Sequence, residues 1–291
     1  MRKKIIVFGG SGYLGKALIF KLLEDNHIVF NFDLKSSNEL SHKNYHYING
    51  DITDINQLRN AIKGKDIIYH YAGISDIDDA VDKAEETLIL NVLSTIRILN
   101  IAISNKINHF VYASSIYASS NSGGFYKSSK VSSETYIKEF SKKYGINYTI
   151  MRFGSIYGPG GDFRNGIYKI ISNAIDNNKV VYNGHKDSIR EYIHVYDAAV
   201  SASTCIQNDN YKNKTVLVTG PNRVLVKDLL NTVSELLNIK SKIRFISSKH
   251  EGHYIRTPYS YVETPIKIVN ENYIDLNEGI LQVINEIYEK K

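Results

Sequence analysis

Tyr126 and Lys130 stand four positions apart in the run Tyr126-Lys127-Ser128-Ser129-Lys130, with Ser114 and Ser115 upstream. Residues four apart on a helix share one face, so an ammonium can sit there beside a phenol. A free tyrosine titrates near ~10, and a neighbouring cation favours the phenolate, which moves the group toward use as a general acid/base. Alone the pattern carries little, because the chain is rich in lysine and holds 22 tyrosines. Its weight comes from the rest of the sequence.

Lys4-Ile5-Ile6-Val7-Phe8 reads as a short buried strand running straight into Gly9-Gly10-Ser11-Gly12-Tyr13-Leu14-Gly15, then helical apolar periodicity through Leu23. G-x-x-G-x-x-G between a strand and a helix is the setting of a dinucleotide fingerprint. The glycines permit a tight turn and let backbone N–H groups approach a pyrophosphate, which rests on the positive helix end. The second strand, Ile28–Phe32, ends on Asp33, 18 residues after Gly15. A carboxylate there accepts from ribose hydroxyls and repels a 2′-phosphate, which favours NAD over NADP. Lys35, close by, is the opposing signal.

Further strands are expected near 45–48, 66–70 and 109–113, alternating with helical periodicity, and strand-helix alternation argues a parallel sheet with crossover helices. One long helix is expected from about Asp79 to Asn105 and another from Tyr126 to Tyr144. A sixth strand follows at Tyr148–Arg152. Beyond Pro159 the pattern loosens into a helix near 166–177, a strand Arg190–His194, a helix from Tyr196 and a strand Thr215–Thr219. The tail reads as a helix Val226–Leu237, a strand Lys242–Ile246 and a terminal helix from Asp275.

With these residues placed, the chain resembles the extended short-chain dehydrogenase/reductase superfamily, and within it the NAD-dependent nucleotide-sugar epimerases and dehydratases. The likeness covers most of the chain. Gly50-Asp51-Ile52-Thr53-Asp54 looks like the family's adenine-contacting turn, and His70-Tyr71-Ala72-Gly73 like the stretch lying along the cofactor. Asn91-Val92-Leu93-Ser94-Thr95 looks like its asparagine motif, and Phe110–Ser115 like strand five, with Ser115 at the catalytic Ser/Thr position. Arg152–Pro159 is similar to the family's R-x-x-N-x-Y-G-P, and Arg190–Val195 to its R-D-F-I-H-V.

The resemblance implies a Rossmann-type α/β fold, a doubly wound parallel sheet with a smaller C-terminal α/β substrate lobe. Residues 1–155 and 187–220 would bind NAD, and 156–186 with 221–291 would bind the sugar nucleotide. It implies Tyr126 as general acid/base, Lys130 lowering its pKa and holding the nicotinamide ribose, and Ser115 orienting the reacting oxygen, with Ser114 as rival. Gly9, Gly12, Tyr13, Leu14, Gly15, Asp33, Asp51, Ile52, Tyr71, Ala72, Gly73 and Asn91 would complete the NAD site, although Asn91 can equally serve as a structural bridge. Ser155, Arg190 and His253 would face substrate, Arg190 gripping the diphosphate unless it makes a surface ion pair instead.

Three departures bear on the reaction. Ser155 replaces the family's usual asparagine, which alters a diphosphate contact. Ser115 and Tyr126 are only 11 apart, where relatives insert a longer loop, so one wall of the sugar pocket is reduced. The 4,6-dehydratases follow their catalytic threonine with Asp-Glu, and here those places hold Ile116 and Tyr117. That argues against a dehydratase. An epimerase acting through a transient keto-sugar leads, followed by a ketoreductase or 4-dehydrogenase. A non-catalytic NAD(P)-binding sensor is the non-enzyme alternative, disfavoured by the joint presence of Ser115, Tyr126 and Lys130.

Composition is consistent with this. Hydrophobic residues at 43% and charged ones at 23% fit a globular domain with one large core. A lone cysteine, Cys205, cannot form an intramolecular disulfide, which suits the cytoplasm. Met-Arg-Lys-Lys before an apolar run mimics a signal peptide, but the run is the first strand; no stretch approaches the ~20 apolar residues of a membrane span. The net charge of +6 comes from scattered lysines, so a solvated surface is expected rather than a nucleic-acid site, and no histidine has metal-ligand spacing. Ile89, Ile96 and Ile103 recur at seven-residue spacing, as in the helical seam of a homodimer.

Overall fold

The computed structural model describes residues 2–36, 40–240, 243–246 and 266–290. Its main sheet contains β1 (Lys4–Phe8), β2 (Ile28–Asp33), β3 (Tyr45–Asn49), β4 (Ile67–His70), β5 (His109–Ser115) and β6 (Asn147–Phe153). Three short strands follow, β7 (Ser155–Tyr157), β8 (Val181–Asn183) and β9 (Ile189–Arg190). Then come β10 (Tyr192–His194), β11 (Lys214–Val218), β12 (Val224–Leu225), β13 (Arg244–Ile246) and β14 (Ile266–Lys267). The eight-stranded sheet runs β14-β11-β6-β5-β4-β1-β2-β3, parallel at every pairing. The order reverses at β1, between β4 and β2, and ligands of such sheets bind outside the strands' carboxyl ends at that point. This is the doubly wound Rossmann-type architecture.

Helices cover both faces because β1, like its neighbours, is apolar on both. Ile5 and Val7 pack on one side with Leu18 and Ile19 of α1 (Tyr13–Glu24) and, further along the chain, with Ala198 and Ala202. Ile6 and Phe8 pack on the other with Leu58 of α2 (Ile55–Ile62) and with Ile98, Leu99 and Ile137. A separate apolar core joins Ile167 and Ile171 of α7 (Gly166–Asn177), Leu229 and Leu230 of α9 (Val226–Leu236), and Ile280 and Ile284 of α10 (Leu276–Glu289). One segment departs from the expected division of the chain: β14 lies on the edge of the large sheet beside β11, and Ile268 joins the first core.

The long helix expected over 79–105 is broken. It comprises α3 (Ile77–Ala80), α4 (Ala84–Thr87), a π-helical turn Leu88–Leu93 and α5 (Ser94–Ser104). The Asn91 carbonyl accepts hydroxyls from Thr95 at 2.6 Å and Ser133 at 3.0 Å, side-chain bonds of the kind that divert a backbone carbonyl from the regular ladder. By length and composition the stretch Ala84–Ser104 is apolar enough to cross a membrane, contrary to the sequence expectation. Half of its most apolar 18-residue window is buried inside the protein, against the sheet and its flanking helices. The strand expected over Arg190–His194 is two strands. β9 pairs antiparallel with β12, and β10 pairs parallel with β7.

Candidate active site

One cleft of about 1600 Å³ opens at the carboxyl ends of β1, β4 and β5 and continues between the sheet and the second core. Its nucleotide end is built by the turn after β1. Gly9 has φ +80°, and a Cβ there would meet the Ala72 backbone nitrogen at 2.6 Å; a Cβ on Gly15 would meet the Gly9 carbonyl at 2.2 Å. Only glycine fits either place, and the resulting cradle leaves room for a pyrophosphate at the start of α1. Gly12, Tyr13 and Leu14 line the same end. Asp33, at the end of β2, accepts the Ser11 N–H at 3.0 Å and the Lys35 N–H at 3.3 Å, which fixes a carboxylate at the rim. These residues fit a dinucleotide. Asp51, Ile52, Tyr71, Ala72 and Gly73 line the wall between that rim and the sheet.

Two further expectations resolve differently. Asn91 does not line the cleft. Its amide accepts the Ile74 N–H at 2.8 Å, donates to the Ile74 carbonyl at 3.0 Å and donates to Ser129 Oγ at 2.9 Å. Saturated and 1% exposed, it ties the turn after β4 to α6 (Gly124–Tyr144), so it is a bridge rather than a cofactor ligand. His253 lies outside the described residues, as do the neighbouring His250 and Tyr254.

Tyr126 and Lys130 project from the first turns of α6, and Ser115 ends β5. Both long side chains are buried. Lys130 Nζ lies 5.6 Å from the Tyr126 ring centre and donates to the Ala113 carbonyl at 2.8 Å. Ser115 Oγ accepts the Tyr117 N–H at 3.3 Å, and its hydroxyl lies near enough to the Tyr126 phenol to lower its pKa. Ser114 points the opposite way, as strand alternation requires, and its hydroxyl donates to Glu134 at 2.5 Å. Ser115, not Ser114, is therefore the serine beside the phenol.

The electrostatics correct one expectation. Burial pushes the Tyr126 phenol up to about 12, the Ser115 hydroxyl opposing it and nearby Asp76 adding to it. Burial pushes Lys130 down to about 8, opposed by Glu134. Desolvation of both groups thus outweighs the expected lowering of Tyr126 by the ammonium. With that shift the phenol holds its proton at neutral pH.

Sequence reasoning missed the support beneath these residues. Glu134, one turn beyond Lys130, forms a bidentate pair with Arg152 of β6, Nε–Oε1 3.0 Å and Nη2–Oε2 2.6 Å, and Arg152 also donates to Ser119 at 2.9 Å. The available signal was the four-residue step from Lys130 to Glu134 on one helix face. Tyr117 was noted only for what it replaces; its ring meets that of Tyr126 edge-on at 6.3 Å.

In the second part of the cleft Ser155 of β7 and Arg190 of β9 line the wall, and Arg190 donates to the Ile189 carbonyl at 2.9 Å. Tyr13 spans the two parts, donating to the Gly158 carbonyl at 2.9 Å. His194 caps α8 (Val195–Cys205) by accepting the Tyr196 N–H at 3.3 Å, and its other ring nitrogen meets Gln282 Oε1 at 3.1 Å. It is a satisfied structural imidazole.

Comparison with known proteins agrees with this geometry. A putative UDP-glucose 4-epimerase of Methanocaldococcus jannaschii is 27% identical, covering 97% of each chain. A dTDP-D-glucose 4,6-dehydratase of Homo sapiens is 26% identical over 70% of this chain and 66% of that one. The solved UDP-glucuronic acid 4-epimerase of Bacillus cereus, in complex with UDP-glucuronic acid and NAD, superposes with a TM-score of 0.86 at 18% identity, covering 99% of this chain and all of that one. The model of the NAD dependent epimerase/dehydratase family matches residues 5–220. With a strand-glycine turn-helix cradle for NAD as its cofactor and a matched span covering most of the sheet, this chain belongs to the NAD-dependent epimerase/dehydratase family.

Proposed function

We propose that this protein is a nucleotide-sugar epimerase that inverts one sugar carbon through a transient keto-sugar. The observation that carries the reading is the convergence of Ser115, Tyr126 and Lys130 on one wall, where the glycine-cradled end of the cleft meets its second part. Bound NAD supplies the reversible hydride acceptor. Tyr126 exchanges the proton of the reacting hydroxyl and Ser115 holds that oxygen, while Arg190 and Ser155 steady the diphosphate. Gly9, Gly12 and Gly15 admit the pyrophosphate, and Asp33 takes the adenosine ribose. Lys130, fixed on the Ala113 carbonyl, stands near the phenol as a positive charge that stabilises the phenolate left when the proton is given up.

Among family members, 4,6-dehydratases need acidic groups directly after the catalytic hydroxyl. Here Ile116 is buried and Tyr117 packs on Tyr126, so an epimerase is favoured over a dehydratase. A ketoreductase or 4-dehydrogenase is the second reading, supported by the short Ser115–Tyr126 segment, which leaves less wall to retain a keto-sugar. We place the protein in the cytoplasm as a homodimer. Leu88, Leu93, Phe125 and Val131 are exposed on the 84–104 helical run and α6, and Ile89, Ile96 and Ile103 are half-buried beside them. Tyr126→Phe tests the catalytic assignment. The variant should keep its fold and NAD affinity yet lose about 10²-fold or more in turnover. Turnover near the parent's would remove Tyr126 from the mechanism.

A further inference from the structure

The reaction assigned above leaves the sugar open, and one cleft residue bears on it. Asp76 lines the cleft at the start of α3, half-buried, where its carboxylate accepts the Asp78 N–H at 2.8 Å. Its neighbours hold it against the reacting centre: Ile74 and Ile77 pack with Ala80 and Tyr117 around Tyr126. Ile74 is itself clamped on both backbone groups by Asn91. The carboxylate thus faces the same cleft as the phenol, flanked in sequence by residues packed around it and close enough for its charge to act on it.

We infer that Asp76 selects against acidic sugars, so that the substrate is a nucleotide-linked sugar whose ring carries hydroxyl or amide groups and no carboxylate. This rests on the nucleotide-sugar reading and narrows it. A pyranose ring spans only about 5 Å, so any substituent near the carbon that reaches Tyr126 lies within Coulombic range of Asp76. A hydroxyl or amide N–H there gains a charge-assisted hydrogen bond, whereas a carboxylate meets a like charge. Burial already pushes the Asp76 carboxyl up, with Asp78 and Asp79 adding to it, so this wall disfavours negative charge before any substrate arrives.

One cation offsets part of the effect: Arg164, which also lines the cleft, feels the charge of Asp76, but it is held by Asp162 through Nε at 3.1 and 3.0 Å. Lys130 is directed to the Ala113 carbonyl. Arg190 and Lys186 lie in the second part of the cleft, where the diphosphate is placed.

The test measures binding of matched neutral and acidic ligands to the NAD-loaded protein: UDP-glucose against UDP-glucuronate, and GDP-mannose against GDP-mannuronate. Wild type should favour the neutral member of whichever pair binds by about tenfold or more. Asp76→Asn and Asp76→Ser both keep a capping side chain for α3, and each should narrow that gap to about threefold or less. Equal binding of both members by wild type, or a gap that survives in both variants, would overturn the inference and leave the nucleotide-sugar reading standing. Failure of these ligands and of dTDP- and CDP-linked sugars to bind, in wild type and variants alike, would overturn the reading itself and the inference with it.

Discussion

The Glu134–Arg152 pair offers a sharp test of how the site is held. Both side chains are nearly inaccessible, at 5% and 8% exposure, and each also satisfies a serine, Ser114 on the carboxylate and Ser119 on the guanidinium. Removing one partner strands the other charge in the interior, which costs about 3–5 kcal/mol where such pairs have been broken. Total stability of a domain is only about 5–15 kcal/mol, so either single loss is severe. For a protein of this size, that corresponds to a melting point lowered by roughly 6–20 °C. Glu134→Met and Arg152→Met should each show this fall in a thermal melt followed by circular dichroism. The double variant removes both charges together and should melt at least about 4 °C above the sum of the two single losses, a coupling expected for contacting residues. Singles within a few degrees of wild type, combined with strict additivity, would show that the pair is not the brace described here. Because Ser114 and Ser119 flank Ser115, the same variants should also loosen the Ser115 hydroxyl, which a comparison of turnover well below the melting point would read out.

Two other expectations follow from burial and surface. His70, bonded to Thr95 at 3.0 Å, is pushed down to about 3 by burial, and His109 to about 4 for the same reason. An unfolded histidine protonates near ~6.5, so below that pH the unfolded chain takes up protons that the folded chain refuses. Stability from these two groups is therefore complete above ~6.5 and falls as pH drops toward their folded values, by up to about 1.4 kcal/mol per pH unit for each. Urea melts at pH 7 and 5 should show the decline and His70→Asn should flatten it; an unchanged slope in that variant would remove His70 from the account. The exposed apolar residues of the 84–104 run and α6 should pair in a dimer, and a monomeric mass by light scattering at micromolar concentration would refute it.

Much of this site was legible because its signals are local. The glycine turn sits directly between a strand and a helix, and Tyr126 and Lys130 lie one turn apart, so sequence spacing alone places each set. What escaped notice depends on long-range burial. Nothing near Arg152 in the sequence tells that it meets Glu134, since charged residues usually read as solvated; only the stacking of α6 on β5 and β6 brings them together. The sign of the Tyr126 shift was missed for the same reason. A cation four residues away predicts a lowered phenol, but burial of both groups reverses the balance. Periodicity also missed the π-helical turn inside the 84–104 run, because Leu88–Leu93 keeps an apolar pattern while the Thr95 and Ser133 hydroxyls take up the Asn91 carbonyl. The Arg190–His194 segment looked like one strand since its residues alternate, yet Ile189–Arg190 and Tyr192–His194 find different partners on either side of buried Glu191.

The central claim concerns the fate of the hydride, and absorbance of reduced nicotinamide follows it directly. An epimerase oxidises a sugar carbon and returns the hydride to the opposite face within one binding event, so the NAD pool ends each cycle as it began. Purified protein incubated with UDP-, GDP-, dTDP- and CDP-linked sugars should invert a stereocentre in one of them through many turnovers. Absorbance at the reduced-nicotinamide band should not change in step with product. Formation or consumption of NADH in proportion to sugar converted would contradict the epimerase and establish the dehydrogenase or ketoreductase in its place.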